Sequence, residues 1–201
     1  MSRRYARVRP GSSFGPNRSY DTVMTAYVAL LRAVNVGGRG VKMAALSALF
    51  ADLGFADART HLQTGNVVFT AHGERAQIAA TIEAGVVDRF GFRAETVLRS
   101  AGEMGRLVGR NPYPEMAGSD PSHLVVMLLA GLPTAEDRVA LRMEWDGPER
   151  WTAVGADLFI CYPKGIGTSK LKLKLKTPGT GRNWNVVQAL ATMVAEAAGA
   201  G

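Results

Sequence analysis

The residues whose types and spacing suit binding chemistry fall into two basic, glycine-containing clusters. The first cluster follows the apolar run 25–32 and leads toward a predicted helix. Glycines let backbone N–H groups approach a phosphate, and a helix N-terminus carries partial positive charge. The alternative is a tight turn in which these side chains bond only to the backbone. The members of this first cluster are Arg32, Asn35, Gly37, Gly38 and Lys42.

A polar turn some thirty residues later contains two carboxamide side chains, Gln63 and Asn66. Carboxamides both donate and accept hydrogen bonds, which suits the edge of a nucleobase or a peptide backbone. The alternative is that they cap a β-hairpin around Thr64-Gly65.

The second cluster lies near the C-terminus and combines flexible backbone, a hydroxyl, several cations and an aromatic ring. No Asp or Glu occurs between Asp157 and Glu196, so carboxylates nearby in the chain are not expected to neutralise it. Such a set could cradle phosphate, and its ring could stack on a base. The alternative is a solvated lysine face, with Trp184 in the core and Asn183 as a helix N-cap. The members are Lys164, Gly165, Ser169, Lys170, Lys172, Lys174, Lys176, Arg182, Asn183 and Trp184.

Catalytic residues are not identifiable from the sequence. Neither glycine loop has the spacing of a dinucleotide fingerprint or a Walker loop, and no hydrolase or metalloprotease motif occurs. The three histidines lack metal-ligand spacing. Ser169 beside Lys170 could form a nucleophile pair, but no orienting third group is evident. The single Cys161 excludes an internal disulfide and a cysteine metal cage, so no metal or cofactor is predicted.

The net charge of +7 is concentrated at the N-terminus. Residues 1–23 contain five arginines and one acid, whereas residues 24–201 carry 19 basic and 16 acidic side chains, a net of +3. The tail lacks apolar periodicity and is predicted to be disordered, with a nucleic-acid-binding arm as the alternative. No run approaches the roughly 18 apolar residues of a membrane span, and no secretory signal is present. A cytoplasmic protein without membrane association is expected.

Hydrophobic periodicity over residues 24–110 predicts a ferredoxin-like subdomain. The predicted order is β-α-β-β-α-β: strand 25–32, helix 42–53, strands 57–63 and 66–70, helix 74–90 and strand 94–98. A right-handed crossover places the ends of the first two strands at one edge of the sheet. The loop 35–42 and the turn 63–66 should therefore be neighbours in space.

A Pro/Gly/Ser-rich stretch, 111–122, is the predicted linker to a second α+β subdomain, 123–201. This unit repeats the β-α-β-β order and closes with a helix at 185–198. Between the last of these strands and the closing helix, Leu171, Leu173 and Leu175 alternate with lysines. This period of two favours a one-sided strand. The predicted fold class is α+β, with two ferredoxin-like α/β-sandwich subdomains.

Several segments, in order, resemble the bacterial domain of unknown function 1697 family. They are LLRAVNVGG (30–38) with KMAALSALFADLGF, LQTGNVVF (62–69), KGIGTSKL (164–171) and TPGTGRNWNVV (177–187). The resemblance covers about residues 26–190 and implies a pair of ferredoxin-like subdomains, but no activity. Many members have a longer helical segment where this chain has only KLKLK.

The leading functional hypothesis is a module that binds a phosphate-containing ligand, nucleic acid or a nucleotide, through the basic and glycine loops. The alternative is an enzyme acting on a small phosphorylated or carboxylated substrate, with a pocket at the loop 32–42 and the turn 63–66. A homo-oligomeric scaffold that pairs through an exposed sheet edge is a third hypothesis, and the sequence leaves the oligomeric state open.

Overall fold

The computed structural model describes residues 24–35 and 40–200, so Gly37, Gly38 and the predicted tail 1–23 lie outside the described residues. In chain order the elements are β1 (Thr25–Leu31), α1 (Met43–Asp52), β2 (Ala56–His61), β3 (Asn66–Ala71), α2 (Arg75–Phe90), β4 (Thr96–Ser100), α3 (Ala101–Gly109), α4 (Pro114–Ser119), β5 (Leu124–Leu129), α5 (Ala135–Ala140), β6 (Arg150–Val154), β7 (Asp157–Cys161), β8 (Gly179–Asn183) and α6 (Trp184–Gly199).

The first unit is the predicted ferredoxin-like sandwich. Its four strands pair antiparallel in the order β2-β3-β1-β4. Helices α1 and α2 cover one face, because their apolar residues recur every three or four positions and pack on the strands. Gly91, in the left-handed conformation with φ 75°, ends α2 by donating its N–H to Val87. The βαββαβ prediction is confirmed.

The second unit repeats the same strand order, β6-β7-β5-β8, again antiparallel. Its first crossover helix is the short α5, and the extended segment 163–178 occupies the place of the second crossover helix. Strand β8 was not predicted, because its sequence GTGRN contains two glycines and no apolar residue. The two α/β units of the predicted fold class are confirmed.

The two sheets share a core. Helices α3 and α6 contact each other, and α6 packs against β1 and β3 of the first sheet as well as β5 and β8 of the second. Val28 and Val68 of the first sheet therefore belong to one apolar cluster with Val126 of the second sheet and Leu190 of α6, all fully buried. Each sheet consequently buries the face that it turns toward the other unit.

The predicted linker 111–122 is partly helical. It contains α4, and Tyr113, Met116 and Ala117 pack against the shared core. The Pro/Gly/Ser composition therefore marks a short helix between bends rather than an unstructured connection.

The prediction of a strand at 171–176 is wrong, although its two-residue period is correct. These residues pair with neither sheet, and no strand is assigned to them. Instead Leu171, Leu173 and Leu175 are half-buried against Ile160 and other residues on the outer face of the second sheet. The alternation arises because an extended chain lies across a sheet face with one side buried. A two-residue period alone cannot distinguish this arrangement from a hydrogen-bonded strand.

Candidate functional site

The first cluster and the carboxamide turn are in contact, as the topology predicted. Asn35 Nδ2 donates to the backbone carbonyls of Gln63 at 2.7 Å and Val41 at 3.1 Å, and its Oδ1 accepts from the Val41 N–H at 2.6 Å. The backbone N–H of Leu31 also donates to the carbonyl of Gly65 at 2.8 Å. One amide hydrogen of Asn35 therefore holds the loop against the turn and the other closes the loop on itself, the structural alternative stated for this residue.

Replacing Gly65 with alanine is expected to lower the free energy of unfolding by about 1–3 kcal/mol. Gly65 has a φ of 74°, and an added Cβ would lie 3.0 Å from Val34 Cβ and 3.1 Å from the Leu31 carbonyl oxygen. Urea denaturation measures the loss. Gly155→Ala is the control, since Gly155 also has positive φ but open space around it. Equal losses of unfolding free energy in the two variants would show that the positive φ, and not the close contacts of Gly65, sets the cost.

Three members of the first cluster and its turn present their side chains to solvent. Arg32 pairs with Glu95 at 2.7 Å, both about half exposed. It lines a cleft of about 720 Å³ with Glu83, Glu95 and Arg93. The side chains of Lys42 and Gln63 are exposed and have no hydrogen-bond partner among the described residues. Their availability for a ligand stays a prediction.

Arg182 is buried at the junction of the two units, with 8% of its surface exposed. Its Nε donates to Asn66 Oδ1 at 2.6 Å, and its Nη2 donates to the carbonyls of Thr64 at 2.8 Å and Leu31 at 3.3 Å. Its Nη1 donates to Thr180 Oγ1 and the Gly181 carbonyl within its own strand. All five guanidinium N–H groups can thus be placed on acceptors of this chain.

The prediction that Arg182 and Asn66 bind ligand is corrected by these contacts. Asn66 has no exposed surface and also donates to the His61 carbonyl and Thr64 Oγ1. Burial lowers the pKa of Arg182 to about 10, so the guanidinium remains charged at neutral pH. The pair joins the two units instead of presenting itself to solvent.

Asn183 and Trp184 also have structural roles. Asn183 is the N-cap of α6, and its Oδ1 accepts from the Val186 N–H at 3.1 Å. Trp184 is 3% exposed and packs against Phe159, with ring centroids 6.2 Å apart. A ring with so little exposed surface cannot stack on a base, so its predicted stacking role is corrected.

The loop 163–170 is held by internal hydrogen bonds. Gly165 has a φ of 82°, and a side chain there would meet His123 Nε2 at 3.3 Å. Ser169 Oγ accepts from the Leu171 N–H at 3.1 Å. A hydrogen bond from the Ser169 hydroxyl lowers the pKa of the Glu149 carboxyl. Ser169 is therefore engaged on both sides, which argues against the nucleophile pair with Lys170.

Five of the chain's six lysines occur between residues 164 and 176, whereas arginine is the basic residue almost everywhere else. All five are exposed. We call the central three, Lys170, Lys172 and Lys174, the lysine ridge. Carboxylates distant in sequence approach the flanking pair: Lys176 lies 3.9 Å from Glu136, and Glu149 interacts with Lys164. The local sequence supplies no acid to this cluster, as expected, but these distant carboxylates reach its flanking lysines and leave only the ridge without one.

Asp137 anchors the end of the ridge segment, a role that the sequence analysis missed. It has no exposed surface and accepts hydrogen bonds from the Thr177 hydroxyl and from the N–H groups of Thr177 and Lys176. It also completes the capping box of α5 with Thr134. These hydrogen bonds, led by that from Thr177, hold the pKa of Asp137 far below its usual value. The spacing Thr134-x-x-Asp137 resembles the capping-box pattern and could have revealed the helical half of this role.

The other polar groups of the described residues form no metal site. His123 Nδ1 lies 2.5 Å from Asp120 Oδ2. Hydrogen bonds, first from Ser122 and then from His123, lower the pKa of Asp120. The described residues contain no group of three or more His, Cys, Asp or Glu side chains placed to hold a metal ion. None of the helices in residues 24–35 and 40–200 has the length and apolar character that a bilayer span requires.

Comparison with protein families identifies the chain. A family model described as a protein of unknown function (DUF1697) matches residues 24–159. The chain belongs to this family. The match ends before the ridge, so the resembling segments 164–171 and 177–187 lie outside it. No curated protein matches the sequence.

A solved structure shares the fold. The conserved bacterial protein SP0830 from Streptococcus pneumoniae superposes with a TM-score of 0.72 at 22% sequence identity. The similarity covers 86% of this chain and 99% of that chain. It therefore extends beyond the residues matched by the family model and supports the two-unit architecture.

Proposed function

We propose that this protein binds single-stranded nucleic acid by contacts between the lysine ridge and backbone phosphates. The observation that carries the proposal is the fixed, one-sided exposure of the ridge: leucines face the second sheet while the intervening lysines face solvent. Alternate residues of an extended chain lie roughly 6.6 Å apart. The ridge thus offers a row of separated cations to a row of phosphates.

Anchoring at both ends supports the proposal because it reduces the entropy lost on binding. Asp137 holds the segment at Lys176 and Thr177, and the hydrogen bond from Ser169 to the Glu149 carboxylate holds the other end. Between these anchors the three ridge lysines have no ion-pair or hydrogen-bond partner among the described residues. Their charge is available without breaking an existing ion pair.

The proposed binding is independent of base sequence. Sequence readout or stacking would need exposed rings or carboxamides beside the cations. The three tryptophans have other roles: Trp184 is buried, and the indoles of Trp145 and Trp151 donate to Glu149 and to the Leu141 carbonyl. These indole N–H groups are engaged within the chain and no carboxamide belongs to the ridge, so similar affinities are expected for oligonucleotides of different base composition.

The test is fluorescence anisotropy with labelled single-stranded oligonucleotides and the variant K170Q/K172Q/K174Q. Glutamine keeps a long polar side chain and removes the charge, so affinity at low salt is expected to fall at least tenfold. K170R/K172R/K174R should retain most of the affinity. The full chain is used for every protein. The positive charge of residues 1–23 is then the same in each, and differences in affinity report the ridge.

Matched controls separate local contacts from net charge. The double variant R93Q/R142Q removes exposed arginines outside the ridge and should bind almost normally. Poly-glutamate provides a polyanion without phosphate. The proposal fails if the ridge variant binds as tightly as the original protein. It also fails if poly-glutamate competes as well as an unlabelled oligonucleotide.

The enzyme hypothesis has less support. Of its proposed pocket, Arg32 and Ala33 of the loop line the 720 Å³ cleft, but no residue of the turn 63–66 does. Asn35 and Asn66 use their amides in internal hydrogen bonds. The nucleic-acid proposal therefore remains the better supported of the two.

A further inference from the structure

A second candidate site is a cleft of about 360 Å³ between the two units. Helix α3 forms one wall, and the β6–β7 turn and the residues after β5 form the other. None of its lining residues belongs to the lysine ridge or to the first cluster. Ligand pockets commonly measure about 300–1,000 Å³, so this cleft suits a small molecule better than a polymer.

Two of the four arginines that line the cleft are already paired. Arg75 binds Glu103 through two hydrogen bonds of 2.8 and 2.7 Å. Arg99 is 7% exposed and donates to Asp157 at 2.9 Å and to the Leu129 carbonyl at 2.8 Å. Both carboxylates of the cleft therefore have guanidinium partners, and these pairs add little net charge.

The other two arginines, Arg106 and Arg110, leave the cleft with unbalanced positive charge. Arg106 lies on α3 and Arg110 is the C-cap of that helix, and because they are four residues apart they share one of its faces. Both are exposed, and neither has a side-chain ion pair or hydrogen bond within the described residues. Guanidinium groups bind phosphate and carboxylate oxygens in a planar, two-point geometry.

The opposite wall is small and partly apolar. Gly131, Gly155 and Ala156 carry little or no side chain, so a ligand can approach their backbone, while Val154 adds apolar surface. A ligand suited to this cleft has a doubly charged anionic group at the two free arginines and a compact body against the opposite wall.

We propose that the cleft between the units binds a small phosphate monoester, with Arg106 and Arg110 gripping the phosphate. A phosphate monoester near neutral pH carries about two negative charges, equal to the unpaired charge of the cleft. The site is separate from the proposed nucleic-acid surface, and neither proposal depends on the other.

Isothermal titration calorimetry of the full chain with ribose 5-phosphate tests this proposal. Saturable binding with one site is expected, and R106Q/R110Q should weaken it about tenfold or more, because each lost charged hydrogen bond is costly. Unphosphorylated ribose should not bind detectably. The pair R93Q/R142Q matches the loss of two exposed arginines and should bind normally.

Three results would overturn the proposal: no saturable binding of ribose 5-phosphate at millimolar concentration, equal binding of ribose, or equal weakening in R93Q/R142Q. Circular dichroism and melting temperature accompany each titration. Because Arg106 and Arg110 are exposed, their replacement should leave the fold unchanged. Inorganic phosphate serves as a second probe and should compete with ribose 5-phosphate for the same site.

Discussion

Replacing Arg182 with alanine is expected to lower the free energy of unfolding by about 3–5 kcal/mol, a large fraction of the roughly 5–15 kcal/mol typical of a folded domain. The substitution removes the donors for five acceptors, among them Asn66 Oδ1 and the carbonyls of Leu31 and Thr64. A buried acceptor without a partner has given up its hydrogen bonds to water and gains none within the protein, which destabilises the folded state. Urea denaturation followed by circular dichroism measures the change.

Arg182→Lys should rescue little of this loss, since an ammonium has three donors and cannot reproduce the planar geometry of the guanidinium. Asn66→Ala should be less damaging, and the double variant should show an interaction energy with Arg182→Ala because the two side chains are bonded. The exposed Arg142→Ala is the control and should change stability by no more than about 0.5 kcal/mol. If Arg182→Ala lowered the free energy of unfolding by no more than Arg142→Ala does, the role of Arg182 in joining the units would be contradicted.

The second large effect is expected for Asp137→Asn. Asparagine has nearly the same shape but places an NH₂ where one carboxylate oxygen now accepts hydrogen bonds, so it opposes either the Lys176 N–H, which donates to Oδ1, or the two Thr177 donors, which donate to Oδ2. We expect the melting temperature to fall by roughly 5–10 °C. The segment carrying the lysine ridge should become more mobile, with faster amide hydrogen exchange at Lys176 and Thr177.

The same carboxylate gives a pH dependence. Its pKa is lower in the folded state than its ordinary value of 3.8, so its contribution is present above that value and is lost as pH falls below it. Stability of the original protein should therefore fall more steeply below about pH 4 than that of Asp137→Asn. Parallel acid-denaturation curves for the two proteins would contradict this assignment.

The first unit was predictable because local patterns and topology agree there. The spacing of Leu46, Leu49 and Phe50 predicts a helix with one apolar face, and Gly65 predicts a tight turn. The split βαβ order then brings the loop and the turn together, as the bond between Asn35 and Gln63 shows. No tertiary information beyond the handedness of the crossover was required.

The second unit was harder because its decisive contacts are distant in sequence. Arg182 bonds to Leu31 and Asn66, 151 and 116 residues away. Nothing around an exposed-looking GRNW sequence reveals a buried arginine. Strand β8 forms through backbone pairing with β5, and a Cβ added at Gly179 would lie only 2.7 Å from Leu129 Cδ2 and 3.0 Å from the Leu128 carbonyl oxygen. Its composition therefore reflects close packing and not a turn.

Charge neutralisation also depends on the fold. Glu136 and Glu149 reach the two ends of the lysine-rich segment from other elements, which the local sequence could not indicate. Conversely, Arg106 and Arg110 look like ordinary exposed residues of α3 until the β6–β7 turn is placed opposite them. The candidate sites follow from which charges the fold leaves unpaired.

The most direct test of the central claim is the salt dependence of oligonucleotide binding by the original protein and by K170Q/K172Q/K174Q. Each phosphate contact to a single strand contributes about −0.7 to the slope of log K against log salt. The three ridge lysines therefore predict a slope that is about two units steeper for the original protein than for the variant. Equal slopes in the two proteins, or affinity independent of salt, would contradict the account.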